Sequence, residues 1–266
     1  LVSCERLDKI FELKAGLIED LGAREARFNN GRIEFKNLTF GYGEDKKVLD
    51  NIDFNIEGGA CIAIDGHSGC GKTSIVNLLL RLYKPLSGRI LIDGVDMNSI
   101  NSKSLYGQIG VALQEPYLWN DTIENNIRYG RECASFEEVE YAAKIACINT
   151  FIGSLPKGYK TIIGENACKI SEGQKQRIAI ARAVIKKPKI LVLDEALSSV
   201  DAYLEKRIIY NIRDALKDST VIIISHHAST IEEAGLAYFL KDAGRMDIGR
   251  HEDLLKDNIE YKNYIS

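Results

Sequence analysis

Apolar residues recur near helical spacing at Leu7, Ile10, Phe11, Leu13, Leu17, Ile18 and Leu21, which predicts an amphipathic opening helix. A charged linker follows to about residue 27, and Asn29-Asn30-Gly31 reads as a turn. The period then changes. Ile33–Phe40 reads as a strand, and Ile52, Phe54 and Ile56 alternate as a half-buried strand does. After Gly58-Gly59 come a short apolar run, Cys61–Ile64, a Gly-rich loop and a helix predicted over about 72–82. Pro85 and Gly88 close that unit; Arg89–Ile92 and Ile109–Leu113 are further strand candidates.

The middle of the chain, about 115–186, reads as mainly helical. Ser135-Phe-Glu-Glu138 and Ser171-Glu-Gly-Gln174 are capping-box patterns, each opening a helix. Val139, Ala142, Ala143 and Ala146 share one face of the first. Beyond Pro188 come a strand at 190–193, a helix at about 202–217, a strand at 221–224 and a helix predicted to be capped within Ser229-Thr-Ile-Glu232. A hairpin around Gly244 and a helix near 252–256 end the pattern. Strands alternating with helices imply an α/β fold with a largely parallel sheet, and the helix-rich middle reads as an inserted subdomain.

The 266 residues allow one large domain or two small ones, and 45% hydrophobic with 27% charged residues is enough for a sizeable core. The net charge of −3 gives no support to a nucleic-acid partner. No stretch approaches the roughly 18–20 apolar residues that cross a bilayer. Six cysteines form no C-x-x-C pair and read as reduced thiols. Trp119 and most Tyr and Phe residues are assigned to packing.

Gly66-His67-Ser68-Gly69-Cys70-Gly71-Lys72-Thr73 matches G-x-x-x-x-G-K-[ST] between an apolar strand and an amphipathic helix. Its glycines let successive N–H groups curl around an anion, and the helix N-terminus adds a positive dipole end. Lys72 is expected at the β- and γ-phosphates and the Thr73 hydroxyl on Mg²⁺. Ile190–Leu193 ends in Asp194 and Glu195, which reads as a buried parallel strand carrying acids at its ligand-binding end. Asp194 fits a Mg²⁺ ligand and Glu195 a base for the attacking water. Cys70, beside a positive loop and a helix start, is expected to have a lowered pKa and to be protected by ATP from alkylation.

With these motifs in place, about residues 32–260 resemble the nucleotide-binding domain of an ABC transporter. Ile170-Ser171-Glu172-Gly173-Gln174, followed by Lys-Gln-Arg, is similar to the family signature. The resemblance implies a P-loop NTPase (RecA-like) core, an antiparallel β-subdomain on its N-terminal side and a helical subdomain carrying the signature. It implies Tyr42 stacking on adenine, Ser74 within the ATP site, Gln114 touching Mg²⁺, Ser198 and Asp201 in a loop crossing a dimer interface, and catalytic roles for Glu195 and His226. It further implies that Ser171, Glu172, Gly173 and Gln174 face ATP held by a second such domain, in a homo- or heterodimer. Ser171 as N-cap supports this, since a hydroxyl and a helix N-terminus meet there.

Glu172 stands where the family usually has glycine; a carboxylate in a first helical turn is favourable, whereas one near a partner's phosphate would weaken closure. Ile163-Gly164-Glu165-Asn166 only partly matches the loop that contacts a membrane domain. Thr122–Gly130 and Pro156–Tyr159 resemble the exporter subclass, and Glu5–Leu13 the segment that follows the last membrane helix. With the non-Met start, the expectation is residues 1–31 as a linker and helix behind a fused transmembrane domain, and 32–266 as the ATPase domain, on the cytoplasmic face of the cell (plasma or inner) membrane. The expected function is ATP hydrolysis driving export. The alternatives are an importer subunit and a soluble non-transport ATPase; a DNA-repair form would carry a long coiled coil where only about 100 residues separate phosphate loop and signature.

Overall fold

The computed structural model describes residues 23–43, 46–164 and 170–265. The helix expected over 1–21 lies outside them, as do Glu165 and Asn166. Alternation produces the first pair of strands: β1 (Ile33–Phe40) runs antiparallel to β2 (Leu49–Ile56), with Phe35 opposite Phe54 and their rings stacked 4.4 Å apart. β3 (Cys61–Gly66) leads through the Gly-rich loop into α1 (Lys72–Leu79). β4 (Ser87–Ile92) pairs with β1 and turns into β5 (Val95–Asp96), giving an antiparallel sheet in the order β2-β1-β4-β5. α2 (Ser102–Gln108) buries only Leu105, so no apolar stripe announces it; Asn101 caps it, accepting from the Ser104 N–H. β6 (Ile109–Ala112) follows directly.

The inserted region is β7 (Asp121–Thr122), α3 (Ile123–Arg128), α4 (Phe136–Ile145), α5 (Asn149–Ser154), β8 (Ile162–Ile163) and α6 (Glu172–Val184). Both expected capping boxes form, Ser135 with Glu138 and Ser171 with Gln174. The remainder is β9 (Ile190–Asp194), α7 (Ala202–Ala215), β10 (Thr220–Ile224), α8 (Ala228–Ala234), β11 (Leu236–Leu240), β12 (Met246–Gly249), α9 (His251–Asp257) and α10 (Ile259–Ile265). The cap expected within 229–232 does not form. α8 starts after His227, and Ser229 lies inside it, donating to the buried carboxylate of Glu205 instead. Side-chain partners across the fold outcompete a local cap there.

The central sheet has the order β12-β11-β3-β10-β9-β6, parallel except for β12. Its strands read as continuous apolar runs because both faces are covered. Leu191, Leu193, Val221 and Ile223 pack with the helical subdomain, while Ile190, Val192, Ile222 and Ile224 pack with the antiparallel sheet. One sheet therefore carries two cores and fixes both subdomains to the same strand ends. The segment before β1, expected to be a charged linker up to residue 27, is fastened down where it is described. Arg24 bridges to Ile100, Ala26 N–H donates to Ser104 Oγ at 3.0 Å, and Phe28 is buried. The Asp93 carboxylate accepts from the N–H groups of Asn29, Gly31 and Arg32.

Candidate functional site: a phosphate loop facing three strand ends

β3 ends at Gly66, whose φ of 148° lies outside the reach of most side chains; a Cβ there would sit 2.1 Å from the Leu240 carbonyl oxygen. Gly71 caps α1 in the left-handed region at φ 112°. Between them His67, Ser68 and Gly69 stay exposed, as does Thr73. Lys72 is largely buried, and its ammonium donates to the Gly66 and His67 carbonyls at 2.5 and 3.1 Å. The loop thus presents exposed backbone and a cation at a helix start, which is an anion-binding arrangement.

The neighbouring strand ends bring the acids and the histidine together. Glu195 follows β9 at φ 48°, a conformation uncommon for a residue with a side chain, and its N–H donates to the Ile224 carbonyl of β10. That turn points its carboxylate to 3.4 Å from His226 Nε2. His226 Nδ1 lies 2.9 Å from Asp65 Oδ1 at the end of β3. The adjacent His227 bonds Glu205 instead. Burial pushes the Asp194 carboxyl above its ordinary range, Glu195 adds to this, and Lys72 opposes it. Asp194 accepts no hydrogen bond from a described side chain, so an oxygen donor lies beside Lys72 and Glu195 with its negative charge poorly relieved. Asp194, an oxygen donor of the hard kind Mg²⁺ takes, fits that ion, as does the exposed Thr73 hydroxyl, whereas Gln114 lines the cleft it shares with Glu172 and Ser198. Among the described residues no cluster of His, Cys, Asp and Glu makes a dedicated metal cage.

Tyr42 stands beside α1 with its hydroxyl 3.1 Å from Ser74 Oγ and 3.2 Å from Asn77 Nδ2. Its ring is half exposed and braced edge-on by Tyr83, 5.1 Å away, and by Phe40. A held, open aromatic face next to a phosphate loop suits a purine. Tyr83 lies in no motif and is visible only in the fold.

The signature lies apart. Ser171 Oγ accepts from the Gln174 N–H, and Gln174 Oε1 accepts from the Ser171 N–H. No hydrogen bond joins residues 171–174 to residues 66–74. Gly173 lies so close to Ser199 that a Cβ would be 2.4 Å from its carbonyl oxygen. Glu172, Gln114 and Ser198 line one cleft of about 450 Å³. Gln176 organises that cleft: it is buried, donates to the Gln114 carbonyl and Ser198 Oγ at 3.1 Å, and accepts from the Ser199 N–H at 3.0 Å. Its sequence position inside Lys-Gln-Arg gives no sign of this. Asp201 caps α7 through the Leu204 N–H.

Two expectations are overturned. Cys70 is buried, and desolvation raises its thiol pKa against the pull of Lys72 and the loop N–H groups, so it is not an activated thiol. Trp119 is about half exposed and forms an outward aromatic cluster with Tyr117 and Tyr129 rather than core packing.

A phosphate loop facing the carboxyl ends of a parallel sheet, with a carboxylate and a histidine at the next two strand ends, defines a P-loop ATPase. The sequence pattern of the family described as "ABC transporter" matches residues 49–198. The mouse "ATP-binding cassette sub-family B member 6" is 44% identical over 234 residues, 88% of this chain and 28% of that protein. The "Iron-sulfur clusters transporter atm1, mitochondrial" of Aspergillus fumigatus is 41% identical over 97% of this chain and 36% of its own length. A solved bacterial Atm1-family ABC exporter with ATP bound superposes with a TM-score of 0.92 at 38% identity, covering 99% of this chain and 46% of that one. The chain belongs to the ABC transporter family. It is an ATP-binding, ATP-hydrolysing domain, and its similarity is to exporters. It spans less than half the length of these relatives. Among the described residues, no helix is long and apolar enough to cross a membrane.

Proposed function

We propose that this chain is the motor of an exporter, closing with a second ABC domain around two ATP molecules and reopening after hydrolysis. The observation that carries this reading is the division of the site. Lys72, Asp194, Glu195 and His226 converge at the loop and strand ends, whereas Ser171 offers a capped helix N-terminus that none of the loop residues meets. A helix start with exposed N–H groups is an anion site waiting for phosphate from elsewhere.

In this reading Tyr42 stacks on adenine, the backbone from Gly66 to Thr73 and the Ser74 hydroxyl hold the phosphates, and Lys72 bridges the β- and γ-groups. Thr73, Asp194 and Gln114 hold Mg²⁺, which when bound neutralises phosphate charge. Glu195 draws a proton from the attacking water, and His226, at 3.4 Å from it, marks the γ-phosphate position. Ser171, Glu172, Gly173 and Gln174 complete the partner's site, with Ser198 and Asp201 near the contact. Gln176 ties the Gln114 loop, the signature helix and the 198–199 loop together, so movement at one reaches the others.

The domain boundary near residue 31, with residues 1–31 leading from a membrane domain in the same polypeptide, belongs to this proposal, as does a place on the cytoplasmic face of the membrane. The exposed Tyr117, Trp119 and Tyr129 cluster supports a docking face for that membrane domain. The test is Glu195→Gln. ATP affinity is retained, a two-domain species accumulates with ATP in size exclusion, and turnover falls by about 10²–10⁴-fold. Near-normal turnover overturns the assignment.

A further inference from the structure

A hydroxyl from the C-terminal end of the described chain reaches the centre of the site. α10 lays Tyr264 under the phosphate loop, with its Oη 2.7 Å from His226 Nδ1, 2.8 Å from Asp65 Oδ1 and 3.1 Å from the Gly66 carbonyl. Its ring packs edge-on against His67, 4.7 Å between centroids, and tilts against Phe239 at 5.2 Å. The Asp65 side chain is fully buried. Its Oδ1 also accepts from the Gly66 N–H at 2.7 Å, and its Oδ2 has no partner among the described residues. A buried carboxylate without a cation is costly, so its position needs a reason beyond packing.

The hydrogen-bond pattern supplies that reason. His226 Nδ1 lies within hydrogen-bond distance of two groups at once, Asp65 Oδ1 at 2.9 Å and the Tyr264 hydroxyl at 2.7 Å. The Tyr264 hydroxyl also donates to Asp65 Oδ1 or to the Gly66 carbonyl. Both groups therefore restrain the ring's rotation about the Cβ–Cγ bond through Nδ1. Nε2 is left pointing at Glu195 and the open face of the site.

We propose that Tyr264 and Asp65 are positioning residues for ATP hydrolysis: they hold His226 by Nδ1 so that Nε2 meets the γ-phosphate, and they couple the C-terminal helix to turnover. This rests on the reading of His226 as the histidine that faces the γ-phosphate. The same contacts anchor the Gly66 end of the loop, so α10, the loop and the histidine move as one piece.

The test compares Tyr264→Phe and Asp65→Asn, each alone and combined with His226→Ala, in steady-state ATP turnover of this chain, together with ATP affinity and melting temperature. Tyr264→Phe keeps the ring contacts and removes one hydroxyl. It is expected to lower kcat about tenfold, the effect of losing one positioning hydrogen bond, with KM and ATP affinity within about twofold. Asp65→Asn is expected to lower kcat likewise. In the His226→Ala background neither substitution lowers kcat further, because the group they position is gone. Wild-type kcat in Tyr264→Phe overturns the proposal. So does a loss of equal size in both backgrounds, which would mark a structural role. Full turnover in His226→Ala alone overturns the reading of His226 and this proposal with it, whereas an inactive His226→Ala beside a fully active Tyr264→Phe overturns only the proposal.

Discussion

Around the phosphate loop, side chains are tied to one another from five strand and helix ends. Lys72 rests on two carbonyls, Asp65 is sealed inside, and His226 links Asp65 and Tyr264 to Glu195. Around the signature, Ser171 bonds only its own helix, and Glu172 pairs with Lys175 at 3.1 Å across open surface. An exposed i,i+3 pair of this kind contributes little. The loop end is a preorganised half-site that holds its charges in place at some cost to stability. The signature end is a stable helix start whose anion-binding potential no group among the described residues uses. In the reading proposed above, the two halves serve different events, one holding a nucleotide and one meeting that of a partner.

The sharpest way to break this comparison is Lys72→Ala. ATP affinity falls by about 100-fold, the scale of losing a charge-assisted phosphate contact, while the Ser171 cap is untouched. Unchanged affinity by nucleotide titration would undo the loop assignment. Ser171→Ala acts on the other half. It is expected to lower turnover about tenfold while leaving ATP affinity of the single domain unchanged, and to destabilise the helix by about 1 kcal/mol in thermal denaturation. A loss of monomer ATP affinity would place the signature in its own chain's site and erase the division.

A smaller effect comes from Asp194. Its carboxyl is raised by burial first and by Glu195 second. Such a group stabilises the fold fully below its unfolded value near 3.9, and that contribution is lost as pH rises through the folded value. At neutral pH the ionised Asp194 therefore costs stability, and Asp194→Asn raises the melting temperature of the nucleotide-free chain. The gain shrinks as pH falls toward about 4. A gain independent of pH would show that charge is not its cause. The smallest effect is chemical: iodoacetamide at pH 7.5 labels exposed Cys133 well before buried Cys70, read by peptide mapping. Faster labelling of Cys70 would reopen it as an activated thiol.

Much of the fold is legible in residue order because its signals are local. The runs at Cys61–Ile64, Ile190–Leu193 and Val221–Ile224 can only be covered strands, and each appears as one. Both capping boxes are four-residue events and form as read. α2 was hidden because it buries a single leucine, and the cap expected at Ser229 failed because Glu205, far away in sequence, takes its hydroxyl. Within the site, motif spacing identifies the loop, the two acids and the signature. Gln176, Tyr83 and Tyr264 carry no local mark, since each matters through partners many positions away.

The sequence by itself determined the α/β class, the phosphate loop, the acids at a strand end and the helix-capping serine of the signature, because each depends on neighbours within a few residues. Only the tertiary structure decided which of the described cysteines are buried and which exposed, which face of the helical subdomain is open, and which groups hold His226. Those depend on burial and on hydrogen bonds closed by strands and helices that meet only after folding. Asp65 shows the divide most plainly. In the sequence it is one acid before a glycine, and in the fold it is a buried acceptor shared by a loop, a histidine and the C-terminal helix.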